Sequence, residues 1–210
     1  MKGKLITFEG CDGCGKTTQS ALAIEYLAKK GFCVVKFREP GATKLGEEVR
    51  RLLLDPALEK SPEEELLLYE TARSRNVKHN ILPALGEGKI IICDRFYDSS
   101  TAYQAYGGNL DPEFVTMLNM FATGGLKPDL TIILDIDPTA GLAKVTRKEF
   151  GKMDWQEQKK IEFHQKVREG YLTIAKEEPD RVKVINYRDG DIDGMQNEIR
   201  TYINQLLGID

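Results

Sequence analysis

The sequence predicts an α/β protein, a five-stranded parallel sheet covered by helices on both faces. Two observations lead there. Short apolar, β-branched runs at Leu5–Phe8, Val34–Phe37, Ile90–Cys93, Leu130–Leu134 and Val182–Ile185 alternate with longer helical stretches. Parallel strands buried on both faces read as such continuous apolar runs. Second, Gly10 to Thr17 spell GxxxxGK(S/T), a phosphate-binding turn that belongs between a strand and a helix. The right-handed crossover rule makes a doubly wound sheet the simplest topology. At 210 residues, 41% hydrophobic and 30% charged, one compact domain over residues 1–210 is expected.

KLITFEG is the first strand, and TTQSALAIEYLAKK forms a helix from Thr17 to Lys30, stopped by Gly31. The loop between them aims backbone N–H groups at an anion, at the positive end of the helix. Gly10 and Gly15 permit turns that a Cβ would obstruct, Lys16 reaches terminal phosphates, and the Thr17 hydroxyl is suited to Mg2+. FCVVKF is the second strand, with Arg38 behind it. Ser61-Pro62 followed by three glutamates opens another helix. On it Tyr69 and Arg73, four apart, share a face; they could present a ring and a planar donor to a base, or form an ordinary packed pair.

IIICD delivers Asp94 to the C-terminal edge of the sheet, where a carboxylate suits a Mg2+ water ligand, and Arg95 follows at once. TIILD places Asp135 at an equivalent strand end, as a competing acid or a cap. Lys144–Lys160 is charged and poor in aliphatics, so part of it is expected on a mobile surface segment. Arg38, Arg73 and Arg95 could together clamp a second anion, since guanidinium forks suit phosphate. The absence of an NKxD segment disfavours a GTPase switch and favours a kinase-like transferase.

A net charge of −3 argues against a nucleic acid polymer as main partner. No apolar run approaches the roughly 18 residues of a membrane span, and MKGKLITFEG lacks a secretory h-region, so a cytoplasmic location is expected. Four cysteines do not make a disulfide scaffold in a chain of this length. Cys33 and Cys93 lie in strand-like runs and are expected to be buried. Cys11 and Cys14 have the spacing of a redox pair; they are either passengers in the phosphate loop or thiols activated by Lys16 and the helix N-terminus. His79 and His164 stand alone, so no structural metal is expected.

EGCDGCGKTT, FREPGAT, LLLYETAR, DRFYDSSTAYQ and KPDLTIILDIDPTAGL, in this order and spacing, resemble the bacterial thymidylate kinases from Lys4 to about Tyr171. DRFYDSSTAYQ, similar to that family's DR(Y/F/H)xxSxxAYQ, is far more discriminating than the phosphate loop. The resemblance implies a three-layer P-loop NTPase fold with a mobile lid at about 144–158, a homodimer, and transfer of the ATP γ-phosphate to dTMP with Mg2+. It implies that Gly10, Cys11, Asp12, Gly13, Cys14, Gly15, Lys16, Thr17 and Thr18 cradle ATP, with Thr17 and Asp94 on the metal. Asp12 would lie near the acceptor sugar and metal; Arg38 and Arg95 would grip the acceptor phosphate, Arg95 bridging to the donor. Tyr69, where the family more usually has Phe, would stack on thymine, and Arg73 would donate to its O4. Tyr103 would crowd a 2'-hydroxyl, Ser100 and Gln104 would flank the base, and Glu9 would tether the loop.

This chain departs from the family pattern where the transition-state cation is concerned. Lys144 and Trp155 stand where lid arginines are usual, and the phosphate loop carries Gly13 in place of an arginine. Arg147 is the candidate, with Lys144 and Lys148 behind it; solvated lid charges are the alternative reading. The NYRDG loop could contact adenine, with no distinct motif behind it. The competing functions are a kinase for another monophosphate or a deoxynucleoside, an ATPase switch that needs no acceptor, and a thiol redox protein.

Overall fold

The computed structural model describes residues 3–148 and 154–209, with the backbone alone for 146–148. Five strands form one parallel sheet in the order β2-β3-β1-β4-β5: β1 Lys4–Glu9, β2 Val34–Arg38, β3 Ile90–Asp94, β4 Leu130–Asp135 and β5 Val182–Asn186. Strand periodicity splits the core. Ile6, Phe8, Ile90 and Ile92 face a layer that includes α1 (Lys16–Lys29), α8 (Ile161–Glu177) and α9 (Ile192–Leu207). Leu5, Ile91 and Cys93 face the opposite layer, with Val77, Ile81 and Phe96. The three-layer α/β architecture is as the sequence predicts, and α1 starts one residue earlier than expected.

Two further helices, α2 (Lys44–Leu54) and α3 (Pro62–Asn76), follow β2. The start of α3 is strongly specified: Pro62 sits in its first turn, and the Ser61 hydroxyl and Glu64 carboxylate each accept the other's backbone N–H. It continues through a π-helical stretch, Val77–Ile81, into α4 (Leu82–Gly86). After β3, α5 (Tyr97–Ser100) passes into a second π-helical stretch, Thr101–Gly107, and α6 (Pro112–Thr123) packs against α3. Tyr103 and Gln104 lie on that second stretch. Helix α7 (Pro138–Lys148) leaves β4.

One expectation is corrected. Cys33 is exposed, because it precedes the first paired residue of edge strand β2 instead of lying within it; Cys93 is buried as expected. In the described part of Lys144–Lys160, Gln156 and Glu157 are buried and Trp155 and Lys159 bond Glu65 of α3. No helix among the described residues is long and apolar enough to cross a membrane.

Candidate active site

Strand register assembles the site. Phe8 of β1 and Arg38 of β2 both pair with Asp94 of β3, so these three strands deliver their C-terminal ends to one line. The phosphate loop leaves β1 there, and Arg95 leaves β3. A cavity of about 770 Å³ opens above this edge, walled by Asp12, Lys16, Thr17, Arg38, Tyr69, Asp94, Arg95, Tyr103 and Gln104 among others. It lies at the carboxyl ends of the strands, where open α/β sheets bind ligands.

Backbone contact makes glycine necessary in the loop. Gly10 has φ +131°, and a Cβ there would lie 2.4 Å from the Leu134 carbonyl oxygen. Gly13 has φ +77°, and a Cβ would lie 2.2 Å from the carbonyl oxygen of Gly141 in α7. Only glycine fits both the left-handed backbone and the close approach. This accounts for the missing loop arginine: no side chain can leave position 13 unless α7 moves.

The Lys16 ammonium donates to the carbonyls of Gly10 and Cys11, each at 3.0 Å, at the centre of the loop. The Thr17 hydroxyl lies 3.4 Å from Asp94 Oδ2. Asp135, the competing acid, is held in a bidentate pair by Arg168 of α8 at 2.6 and 2.7 Å. The structure thereby separates the two strand-end carboxylates. No three His, Cys, Asp or Glu side chains converge on a possible metal position among the described residues.

Arg95 is the hub of the polar contacts on the cavity wall opposite Lys16. Its backbone takes φ +68°, a left-handed conformation costing about 1–2 kcal/mol in a non-glycine residue. One terminal nitrogen donates to the Gly10 carbonyl, Ser99 Oγ and Tyr171 Oη, the other to Asp12 Oδ1 at 2.5 Å and to Tyr103 Oη. Tyr103 donates in turn to Asp12 Oδ2 at 3.0 Å. Burial works against the Asp12 charge, but Arg95 and Lys16 outweigh it and hold the carboxyl below its ordinary value. Beneath them, Glu9 accepts from the Phe96 N–H, Ser99 and Tyr171, and burial raises its pKa to about 7.

Arg38 pairs with Glu47 of α2 at the cavity mouth. Arg50 of α2 also lines the cavity, and burial together with the neighbouring Arg38 disfavours its charge. An anion between the two guanidinium groups would relieve that repulsion. Nothing in the sequence marks Arg50, one of two adjacent arginines on an amphipathic helix.

Two expected binding residues do not sit at the wall as anticipated. Arg73 is fully buried, with Nε on Glu39 at 2.8 Å and its terminal nitrogens on Glu70, Ser100, Asn119 and the Phe96 carbonyl. Its Nη2 carries a second N–H beyond the one on the Phe96 carbonyl, so donation to a base oxygen does not require a partner to be released. Ser100 lies behind the wall, its hydroxyl used by Arg73 and Glu70, and its neighbour Ser99 lines the cavity instead. Lys144 lines the cavity, but its ammonium is tied to Asp189 at 2.5 Å and to Tyr187. Gly13, Gly15 and Thr18 line the cavity, whereas the Cys11 and Cys14 side chains are packed in the core. Burial pushes the Cys11 thiol up to about 12, opposite to the activation considered for it. The side chain of Arg147 lies outside the described residues.

The sequence model of the thymidylate kinase family matches residues 8–199. A thymidylate kinase of Symbiobacterium thermophilum is 45% identical over 96% of this chain and 93% of that protein. One of a Thermoanaerobacter species is 46% identical over 96% and 95%. The crystal structure of thymidylate kinase from Ehrlichia chaffeensis aligns with a TM-score of 0.79 at 37% identity, covering 97% of this chain and 99% of that one. A phosphate loop facing a guanidinium hub across one sheet edge, and relatives matched along nearly their whole length, lead to one conclusion: the chain belongs to the thymidylate kinase family.

Proposed function

We propose that the chain transfers the γ-phosphoryl group of ATP to dTMP, giving dTDP and ADP on the route to dTTP. The observation that carries this is the Arg95 guanidinium, which bonds both the phosphate-loop carbonyl of Gly10 and the acceptor-side pair Asp12 and Tyr103. It stands where donor and acceptor phosphates would meet.

The loop amides from Gly10 to Thr18 receive the ATP phosphates, and Lys16 exchanges its two carbonyl partners for phosphate oxygens. Arg95, Arg38 and Arg50 receive the acceptor phosphate. Asp12 keeps the Arg95 fork oriented, so charge spreading over the moving phosphoryl group meets fixed donors. A hydroxyl and a single carboxylate at Thr17 and Asp94 fit Mg2+, which takes few protein ligands and completes its shell with phosphate and water oxygens. When bound, Mg2+ neutralises phosphate charge.

On the acceptor side the Tyr69 ring stacks on thymine, and Tyr103 lies under the deoxyribose, where a 2'-hydroxyl would be crowded. Gln104 flanks the base, with Ser100 held behind the wall by Arg73. Segment 144–158 serves as a lid that excludes water, and its Arg147 supplies the transition-state cation. We place the enzyme in the cytoplasm as a homodimer. Phe114, Met117, Met120 and Phe121 of α6 and Leu67 of α3, a helix packed against α6, are exposed apolar side chains that a second copy would cover.

A panel of nucleoside monophosphates offered with ATP and Mg2+, read as diphosphate formed, tests the reading. dTMP should be the preferred acceptor; ATP consumption independent of any monophosphate would contradict it.

A further inference from the structure

We propose that Glu65 is the positioning residue of the acceptor-base subsite, fixing Gln104 and Gln156 so that both present carbonyl oxygens to a base carrying an N–H. This rests on the base lying beside Tyr69, as read above.

Glu65 is 1% exposed and sits one helical turn before Tyr69 on α3. Four donors converge on its carboxylate. Oε1 accepts from Trp155 Nε1 at 2.5 Å and Lys159 Nζ at 2.6 Å; Oε2 accepts from Gln104 Nε2 at 3.1 Å and Gln156 Nε2 at 2.9 Å. The carboxylate therefore joins α3 to the π-helical stretch and to the turn at 154–160.

The two glutamines line the active-site cavity, and both have a buried Oε1 with no hydrogen-bond partner. Buried acceptors are seldom left this way, and here two lie on one wall. An ionised carboxylate only accepts, so each amide must turn its nitrogen to Glu65 and keep its oxygen for another donor. Thymine and uracil carry an imide N3–H, which satisfies such an acceptor. Cytosine has a bare N3 there, so two acceptors would face each other.

Replacing the carboxylate with an amide of the same shape separates this role from packing. Trp155 and Lys159 are obligate donors, so in Glu65→Gln the new carbonyl must face them and the new NH2 must face the glutamine pair. Gln104 and Gln156 then flip and offer N–H groups to the base.

The test measures kcat/KM for dTMP, dUMP and dCMP in wild type and E65Q. E65Q should lower the dTMP-to-dCMP ratio about tenfold or more, mainly through KM, with dUMP following dTMP. An equal fall for all three acceptors, leaving the ratio intact, would reduce Glu65 to a structural strut and overturn the proposal. If E65Q does not fold, Gln104→Leu and Gln156→Leu remove the acceptors one at a time, and an unchanged ratio in both overturns it equally. A wild type that takes dCMP as readily as dTMP would instead overturn the underlying base-site reading.

Discussion

The Asp12 carboxylate meets the Arg95 guanidinium at 2.5 Å, and the phenol of Tyr103 closes the triangle by bonding both. Arg95 reaches this position from a left-handed backbone, directly after the strand that carries Asp94. A residue held in a costly conformation by its surroundings fits a preorganised fork. Asp12→Asn keeps the shape and removes the charge that orients the fork. It should lower kcat/KM for dTMP by about 100-fold, the usual cost of one misplaced transition-state donor. Steady-state kinetics reads this, and a loss under about threefold would mean that Asp12 does not set the working geometry.

Gly13 and Gly141 touch backbone to backbone, and this contact joins the phosphate loop to the foot of α7. Gly13→Ala meets both the +77° φ and a carbonyl oxygen at 2.2 Å, whereas Gly15→Ala, at φ +91°, meets nothing within 4 Å. We expect Gly13→Ala to cost about 2–3 kcal/mol and Gly15→Ala about 1 kcal/mol. In thermal unfolding, at roughly 2–4 °C per kcal/mol for a chain of this size, Gly13→Ala should be clearly the less stable. Equal melting temperatures would show that α7 yields without cost.

Asp94 and Asp135 occupy matching strand ends but have different partners, the Thr17 hydroxyl and the Arg168 guanidinium. Asp94→Asn should raise the Mg2+ concentration for half-maximal rate by about tenfold, as loss of a ligand-orienting carboxylate does. Asp135→Asn should leave that dependence in place and cost at most about 1 kcal/mol, because Arg168 is 37% exposed and solvent screens the pair. Mg2+ titrations of both variants decide it; the reverse pattern would reassign the metal to β4.

Glu9 has its pKa raised by burial from 4.5 to about 7. The folded chain thus keeps a proton on this carboxyl that the unfolded chain has already lost. The stabilisation is fully present below about 4.5 and disappears as pH rises through about 7. Against Glu9→Gln, wild type should lose stability between these pH values with a slope approaching about 1.4 kcal/mol per pH unit, then stay level. Urea unfolding of the two proteins at several pH values measures it; parallel curves throughout would place the Glu9 pKa near 4.5.

The five strands and the phosphate loop were legible because each has a local cause: continuous apolar runs, and glycines ahead of Lys16 and Thr17. Asp94 and Arg95 were legible for the same reason, since a strand end fixes where a residue emerges. What the sequence hid depends on partners distant along the chain. Arg73 looked like a donor on a helix face, yet Glu39, 34 residues away, and Asn119, 46 away, enclose it. Cys33 looked buried because hydropathy does not reveal that it lies just before β2, at the edge of the sheet. Within Lys144–Lys160 the attachment of Trp155, Gln156 and Lys159 to Glu65 was not legible, because no local pattern announces that partner. The Cys11 thiol had activation by Lys16 as one of its two readings, but that proximity counts for less than burial.

The central claim is that both phosphate chains enter one cavity and meet at Arg95. The most direct measurement is binding of a dinucleotide in which adenosine and thymidine are joined 5' to 5' through five phosphates. The account predicts one molecule bound per chain, competition with both ATP and dTMP, and loss of binding in both Lys16→Ala and Arg95→Ala. Competition with only one of the two nucleotides would contradict it.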